Sequence, residues 1–351
     1  MLFKKPSYPV NPSLLEYLGR FDRISKVPIF YDDLLRFSGS INVYDKNDND
    51  TLWIRVYYSE FERIEIDLTL KRIYSLLLSD GNLGIIKFLN VDAIDYCTFG
   101  NSKPFRIKVR NILNDNYTHF YIKKADASRI YGLELEHLLS PDKINFLVYE
   151  NTLIEEHILG IPGDVFMNTL LINCTETEKA QIAKEFVKFN ERCMIRLLGD
   201  MRAYNYVIVP THDFDQVVYK IRPIDFDQQC YEGNFKVYRP QFFKENYPMV
   251  KLVKEKLHSS SIDQYKEEER AALAKRIISG ESRIKRLLKI MGNDVLAPPN
   301  HVNQLKLELY TYTHDLNFKR AKSMGSLLIC AFEFITRNYK NLDVFKPRNR
   351  E

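Results

Sequence analysis

The chain has 351 residues, 45% hydrophobic and 28% charged, which excludes disordered and fibrous classes and allows a large core. A formal net charge of +5, with basic and acidic residues mixed along most of the chain, argues against a nucleic-acid-coating protein but leaves small anionic ligands open. Five cysteines (Cys97, Cys174, Cys193, Cys230, Cys330) stand far apart with no C-x-x-C pair, so zinc and dithiol readings fall away and buried, reduced thiols are expected.

The opening Met1-Leu2-Phe3-Lys4-Lys5-Pro6 offers no apolar core for a secretory signal. The most apolar late stretch, residues 327–334, is far short of the ~20 residues that cross a bilayer. The expectation is a cytoplasmic chain with no membrane span.

Residues 1–89 read as a separate N-terminal α/β extension: a Pro-punctuated start, a polar turn at residues 45–50, a strand at 52–58, then a helix. Ser59 is placed to cap that helix, Ile64, Leu68, Ile73, Leu76 and Leu77 recur near helical spacing within it, and Asp80-Gly81-Asn82 stops it. From Val91 the pattern changes to short alternating runs at 93–97, 105–109, 120–122, 146–149 and 153–158. A helix over 127–139 interrupts them, its apolar Ile130, Leu133, Leu135 and Leu138 spaced by charges. The order is three strands, a helix, two strands, and the sheet is expected to be antiparallel. After Gly160-Ile161-Pro162-Gly163 the chain turns mainly helical. Its clearest helix, over 177–198, lines Ile182, Phe186, Phe189, Cys193 and Leu197 along one face. A strand pair at 206–209 and 217–221 breaks the helical run, which then resumes to the end.

The stretch richest in chemistry runs from Gly199 to Val209 and is followed by Ile224-Asp225-Phe226-Asp227. Asp200 and Asn205 lie between a long amphipathic helix and a strand, and Asp225 leaves the second strand of the same hairpin. Such a hairpin brings the three side chains to one edge. Phosphoryl transfer needs a carboxylate near the incoming hydroxyl and oxygen ligands for magnesium ions that bridge the phosphates, because the developing charge is spread over phosphate oxygens.

On these residues the chain resembles the protein-kinase-like superfamily, nearest its aminoglycoside and choline phosphotransferase branch: Asp200-x-x-x-x-Asn205 has the spacing of the catalytic-loop D-x-x-x-x-N, and Ile224-Asp225-Phe226-Asp227 resembles the I-D-F-[DG] metal motif. The resemblance implies an α+β, two-lobed fold, with a mostly antiparallel N-lobe sheet over 90–158 and a helical C-lobe over 159–351. It further implies Asp200 as catalytic aspartate, Asn205 and Asp225 as metal ligands, and Arg202 as a basic residue reaching the transferred phosphate.

It also implies a strand lysine on the α and β phosphates, oriented by a glutamate of the next helix. Lys123 and Lys124 end a strand and face opposite ways, so only one enters the cleft; Lys123 is preferred. Glu134 and Glu136 point about 200° apart on the helix, and Glu136 is preferred as the partner. Glu156, His157 and Ile158 resemble the hinge whose backbone receives adenine. Gly100, in Thr98-Phe99-Gly100-Asn101-Ser102, stands where the phosphate-covering loop belongs, although no G-x-G-x-x-G is present.

Further departures are Leu198-Gly199 in place of His-Arg before Asp200 and the lack of an A-P-E after Asp225. The seven histidines are scattered without an i, i+4 pair, so His137 and His157 read as structural. The basic run Lys275, Arg276, Arg283, Lys285, Arg286 and Lys289 reads as a solvated helix face, with a docking patch for an acidic partner as the other reading.

The expected function is ATP- and Mg2+-dependent transfer of a γ-phosphoryl group to a hydroxyl of a small-molecule or protein acceptor. A catalytically degenerate kinase-like binding or scaffold protein (a pseudokinase) is the alternative. Nucleotidyl transfer in the same cleft is a third.

Overall fold

A computed structural model of the chain describes residues 5–213 and 216–340. The first four residues, and residues 341–351 of the expected 159–351 C-lobe, lie outside the described residues. The expected α+β class is found, with an antiparallel sheet ahead of a mainly helical C-terminal region. The chain divides into two compact units, one of Met1–Ile130 with Asp142–His157 and one of Tyr131–Pro141 with Ile158–Glu351.

The first unit holds, in chain order, helices α1 (Pro12–Arg20) and α2 (Tyr31–Leu34), strands β1 (Gly39–Tyr44) and β2 (Asp50–Tyr57), and helix α3 (Glu60–Leu78). Strands β3 (Leu89–Cys97), β4 (Phe105–Asn111) and β5 (Asn116–Lys124) follow, then helix α4 (Ala127–Leu139), which begins in this unit and continues into the second, and strands β6 (Phe146–Tyr149) and β7 (Thr152–Glu156). Among the described residues these strands form one seven-stranded sheet, ordered β1-β2-β3-β4-β5-β7-β6, with every neighbouring pair antiparallel.

Strand alternation decides what each face carries. Phe105, Ile107 and Val109 of β4, Phe120 and Ile122 of β5 and Ile154 of β7 point into a core completed by Leu70, Ile73 and Leu77 of α3. The intervening residues of β4 and β5, Arg106, Lys108, His119, Tyr121 and Lys123, belong to the opposite face.

Two expectations change here. Residues 1–89 are not a separate extension, because Trp53, Ile54 and Arg55 of β2 pair with Cys97, Tyr96 and Asp95 of β3 and α3 lies on the sheet's core. The start of α3 is as expected, with the Ser59 side chain and Glu62 closing a capping box. Its buried stripe is not: Ile64 and Leu68 are exposed, and the inward face runs through Leu70, Ile73 and Leu77. The helix carries apolar residues on both faces, and the sheet selects between them.

The second unit continues with β8 (Ile161–Pro162), α5 (Gly163–Thr169), α6 (Glu176–Arg196), β9 (Tyr206–Asp213) and β10 (Gln216–Pro223). Helices α7 (Tyr247–Lys256), α8 (Ser259–Ser279), α9 (Glu281–Gly292), α10 (Pro299–Thr313), α11 (Asn317–Arg320) and α12 (Met324–Asn338) complete it. Helix α6 is its spine. Thr175 and Glu178 cap it, and Ile182, Phe186, Phe189 and Cys193 bury the stripe expected of them. Its buried Glu191 meets Arg270 of α8 at 2.9 Å.

The basic run is only partly a solvated face. Arg276 donates to the Leu139 carbonyl at 3.0 Å, and Arg283 grips the fully buried Glu134 at 2.6 Å. The thiols are also mixed: all five cysteines are free, Cys193 and Cys230 are buried, and Cys97, Cys174 and Cys330 are half-buried.

Helices α9 and α12 approach so closely at Gly325 that a Cβ there would stand 2.1 Å from the Met291 carbonyl oxygen. Gly325→Ala is therefore expected to destabilise the protein by about 1–3 kcal/mol or more, against the ~1 kcal/mol gain of an unhindered helical glycine-to-alanine change. Urea unfolding measures it, and a raised midpoint would contradict the close approach.

Candidate active site

Asp200, Arg202, Asn205 and Asp225 all belong to the second unit, and the backbone there brings their two sequence stretches together. Helix α6 ends at Leu197 in the left-handed region (φ 51°), which turns the chain sharply out of the helix. The next residues run beside the stretch that follows Asp225. Leu198 bridges Gln229, the Gly199 N–H donates to the Gln228 carbonyl at 3.2 Å, and the Cys230 N–H donates to the Leu197 carbonyl at 2.9 Å. On the other side the β9–β10 ladder runs down to Tyr206 opposite Pro223, and the Ile224 N–H donates to the Asn205 carbonyl at 3.0 Å. The loop carrying Asp200 and the loop carrying Asp225 are thus stitched at both ends.

Within that frame Asp200 is itself left-handed (φ 58°), as is Cys230 (φ 52°). Non-glycine residues in this region carry strain and persist where their surroundings over-determine them. The Asp200 carbonyl accepts from the Arg202 N–H at 2.8 Å and from the Asn205 side-chain Nδ2 at 2.8 Å. Its carboxylate accepts from Arg202 Nε at 2.7 Å. Arg202 in turn donates from Nη1 to Glu245 at 2.9 Å and lies over the Phe243 ring. Burial pushes the Asp200 carboxyl above its ordinary value of 3.8, against the hydrogen bond and charge of Arg202 and with help from Glu245 and Asp227. The Tyr204 phenol is likewise raised, chiefly by partial desolvation of its hydroxyl end, with Asp200, Glu245 and Asp225 adding to the shift and Arg202 opposing it. Glu232 is raised by burial and feels His301 and Asp200.

With Nδ2 of Asn205 donating to a backbone carbonyl, its amide oxygen is the end that could ligate a cation. Asp225 holds the Asp227 N–H on Oδ1 at 3.0 Å. One amide oxygen and one carboxylate are hard donors of the kind magnesium takes when substrate phosphates supply further ligands. Among the described residues no group of three or more His, Cys, Asp or Glu side chains forms a self-contained metal cage.

Behind the site, fully buried Asn246 holds the loop from below. Its Nδ2 donates to the Met201 and Pro240 carbonyls at 2.9 and 2.8 Å, and its Oδ1 accepts from the Tyr206 hydroxyl at 2.9 Å. Asn246→Ala orphans all three groups, each costing about 1–3 kcal/mol, whereas Tyr206→Phe removes a single donor. The expected result is a loss of roughly 3 kcal/mol or more for Asn246→Ala and about 1 kcal/mol for Tyr206→Phe by urea unfolding. Equal losses would refute the three-way role. Nothing in the sequence marks Asn246 or Glu245, since both act through side-chain contacts made by a stretch with no regular period.

The remaining expected residues fall elsewhere. Lys123, in the first unit, is buried and ion-paired to Glu155 of β7 at 2.6 Å, and Lys124 is exposed. Glu136, in the second unit, is buried and ion-paired to Arg196. The expected Lys123–Glu136 pair is therefore replaced by two others. The physical reason is that β5 and β7 are neighbours whose same-face side chains meet across the ladder.

Gly100 sits in the turn joining β3 and β4 at φ +81°, with open space where a Cβ would stand. Glu156 ends β7, and the division between the two units falls between His157 and Ile158. His157 Nδ1 lies 3.1 Å from the Tyr121 hydroxyl, and its ring edges that of His119. Burial lowers both imidazoles, His119 to about 4 with the neighbouring His157 adding to the shift.

No family model and no curated protein matches the chain. Among solved structures a match is found to an ethanolamine kinase from Plasmodium vivax, at 12% identity over 81% of this chain and 92% of that one, with a TM-score of 0.27. At that score the likeness carries no argument about this chain.

Proposed function

We propose that the protein is a kinase-like phosphotransferase that moves the γ-phosphoryl group of ATP to a hydroxyl, with Mg2+ as cofactor. The observation that carries this reading is the double stitching of the Asp200–Asn205 loop to the Ile224–Asp227 stretch, which keeps a carboxylate and two oxygen donors around one hairpin base.

Asp200 accepts the proton of the acceptor hydroxyl, whose oxygen forms the new bond to phosphorus as the bridging bond breaks and its electron pair leaves with ADP. Asn205 and Asp225 would hold the magnesium, which when bound neutralises charge on the phosphate oxygens. Arg202, held between Asp200 and Glu245, supplies a fixed positive charge beside the carboxylate. In the first unit, Lys123 is the residue we propose to meet nucleotide phosphates.

The test is mass analysis of small molecules and proteins from a cell extract incubated with the protein, ATP and Mg2+. A phosphate added to an acceptor supports the reading, and an added adenylate replaces it with nucleotidyl transfer.

A second reading, a catalytically degenerate binding module, is favoured by one observation: Lys123 and the Asp200 carboxylate both already hold partners within the protein, Glu155 and Arg202. Calorimetric titration with ATP, with and without Mg2+, separates the two. Magnesium-dependent binding supports the enzyme, and no binding supports the module.

A further inference from the structure

We infer that Glu155 of β7, rather than a glutamate of α4, is the positioning residue of Lys123, so that this chain sets its phosphate-facing lysine from within the sheet. The inference rests on the reading of Lys123 as the lysine that meets the nucleotide phosphates.

Three observations carry it. Lys123 Nζ and Glu155 Oε2 stand 2.6 Å apart with both side chains buried, so the pair is a charge-assisted hydrogen bond shielded from water. The second oxygen of Glu155, Oε1, is buried with no hydrogen-bond partner among the described protein atoms, which leaves Lys123 as the side chain this carboxylate holds.

Finally, both glutamates of α4 that could have served are engaged elsewhere in the second unit. Glu134 takes two hydrogen bonds from Arg283, and Glu136 is bound by Arg196. Both are buried, and exchanging partners would break ion pairs already made within the second unit.

The register explains why β7 can do this. Lys123 pairs with Leu153 and Tyr121 with Glu155, which places Glu155 on the same face and one diagonal step from Lys123. On the same cross-strand row, Asp95 of β3 bridges Arg55 at 2.9 Å and Arg106 at 2.8 Å. This face of the sheet therefore fixes its cations with carboxylates of neighbouring strands. The consequence is regulatory: an ion pair made between adjacent strands of one sheet is not made or broken by movement of a helix.

The experiment reads the lysine directly. The full chain, without nucleotide, is pulsed with acetic anhydride at fixed pH, and acetylation of Lys123 relative to the exposed Lys124 is quantified by peptide mass spectrometry. Glu155→Gln, which removes the charge but keeps the shape, is expected to raise Lys123 labelling several-fold over the native chain. Glu155→Asp, which keeps the charge on a shorter side chain, gives a smaller rise. Glu136→Gln leaves the ratio unchanged.

Unchanged labelling in both Glu155 variants, or a rise in Glu136→Gln as large as that in Glu155→Gln, would overturn the inference. If Glu155→Gln does not fold, Glu155→Asp against Glu136→Gln decides it by the same ratio. Protection of Lys123 in the native chain by ATP with Mg2+ tests the phosphotransferase reading separately. Failure of protection counts against that reading and leaves the Glu155 result standing.

Discussion

On the proposed reading, Asp225→Asn is expected to weaken magnesium-dependent ATP binding by about 100-fold while leaving the fold intact, because it would remove the carboxylate assigned there to the metal. The local structure argues that folding survives. Asp225 Oδ1 accepts the Asp227 N–H at 3.0 Å, a bond an asparagine oxygen can also make, and the Ile224 N–H keeps its bond to the Asn205 carbonyl, which involves no side chain. What changes is charge: a neutral amide is a poor substitute for a hard anionic ligand when the ion must also hold phosphates. Calorimetric titration with ATP at several magnesium concentrations is the measurement, with urea unfolding as the control for folding. A magnesium dependence identical to that of the native chain would remove Asp225 from the site.

Much of this arrangement is legible in the sequence where a local signal exists. Helix α3 announces its start because Ser59 and Glu62 form a capping box within four residues, and β4 and β5 announce themselves by strict alternation of Phe105, Ile107 and Val109 and of Phe120 and Ile122. That the Asp200–Asn205 loop lies beside the Ile224–Asp227 stretch is legible for the same reason, since one loop and one hairpin set their spacing. Partners across the fold are not. The choice of Glu155 over Glu136 for Lys123 depends on which strand lies beside β5, and the sheet order puts β7 there. Membership of residues 1–89 in the sheet depends on β2 pairing with β3, which no local pattern encodes. Which stripe of α3 turns inward is equally a tertiary decision, because Ile64 and Leu68 match a helical period as well as Leu70 and Ile73 do. The left-handed turns at Leu197, Asp200 and Cys230 leave no trace in composition either, as none of them is a glycine.

Asp200→Asn is the change that separates catalysis from binding, and the structure makes it an unusually clean one. At φ 58° most side chains strain the backbone, but asparagine is among the residues that enter this region most readily, so the loop should keep its shape. The carbonyl of residue 200 keeps its bonds from the Arg202 N–H and Asn205 Nδ2, since neither involves the carboxylate. The loss should therefore fall on turnover, by about 100- to 10,000-fold as is typical of a general base, with ATP affinity nearly unchanged.

The pH behaviour follows from the same burial. Because burial raises the Asp200 carboxyl above its ordinary value of 3.8, the limb of the native rate profile that rises with pH should be displaced upward from that value, and it should vanish in Asp200→Asn. The sign for stability is the opposite of that for activity. A carboxyl raised in the folded state favours the protonated form, so its contribution to stability is present below the unfolded value and is lost as pH rises through the folded one. Asp200→Asn removes that loss, while giving up the ion pair to Arg202, which Glu245 continues to hold.

Single-turnover phosphoryl transfer or autophosphorylation at saturating ATP, followed across pH for both proteins, is the measurement. Equal non-zero rates with equal profiles would refute the role of Asp200 as base, and a silent variant in a protein that never transfers phosphate would leave the binding-module reading in its place.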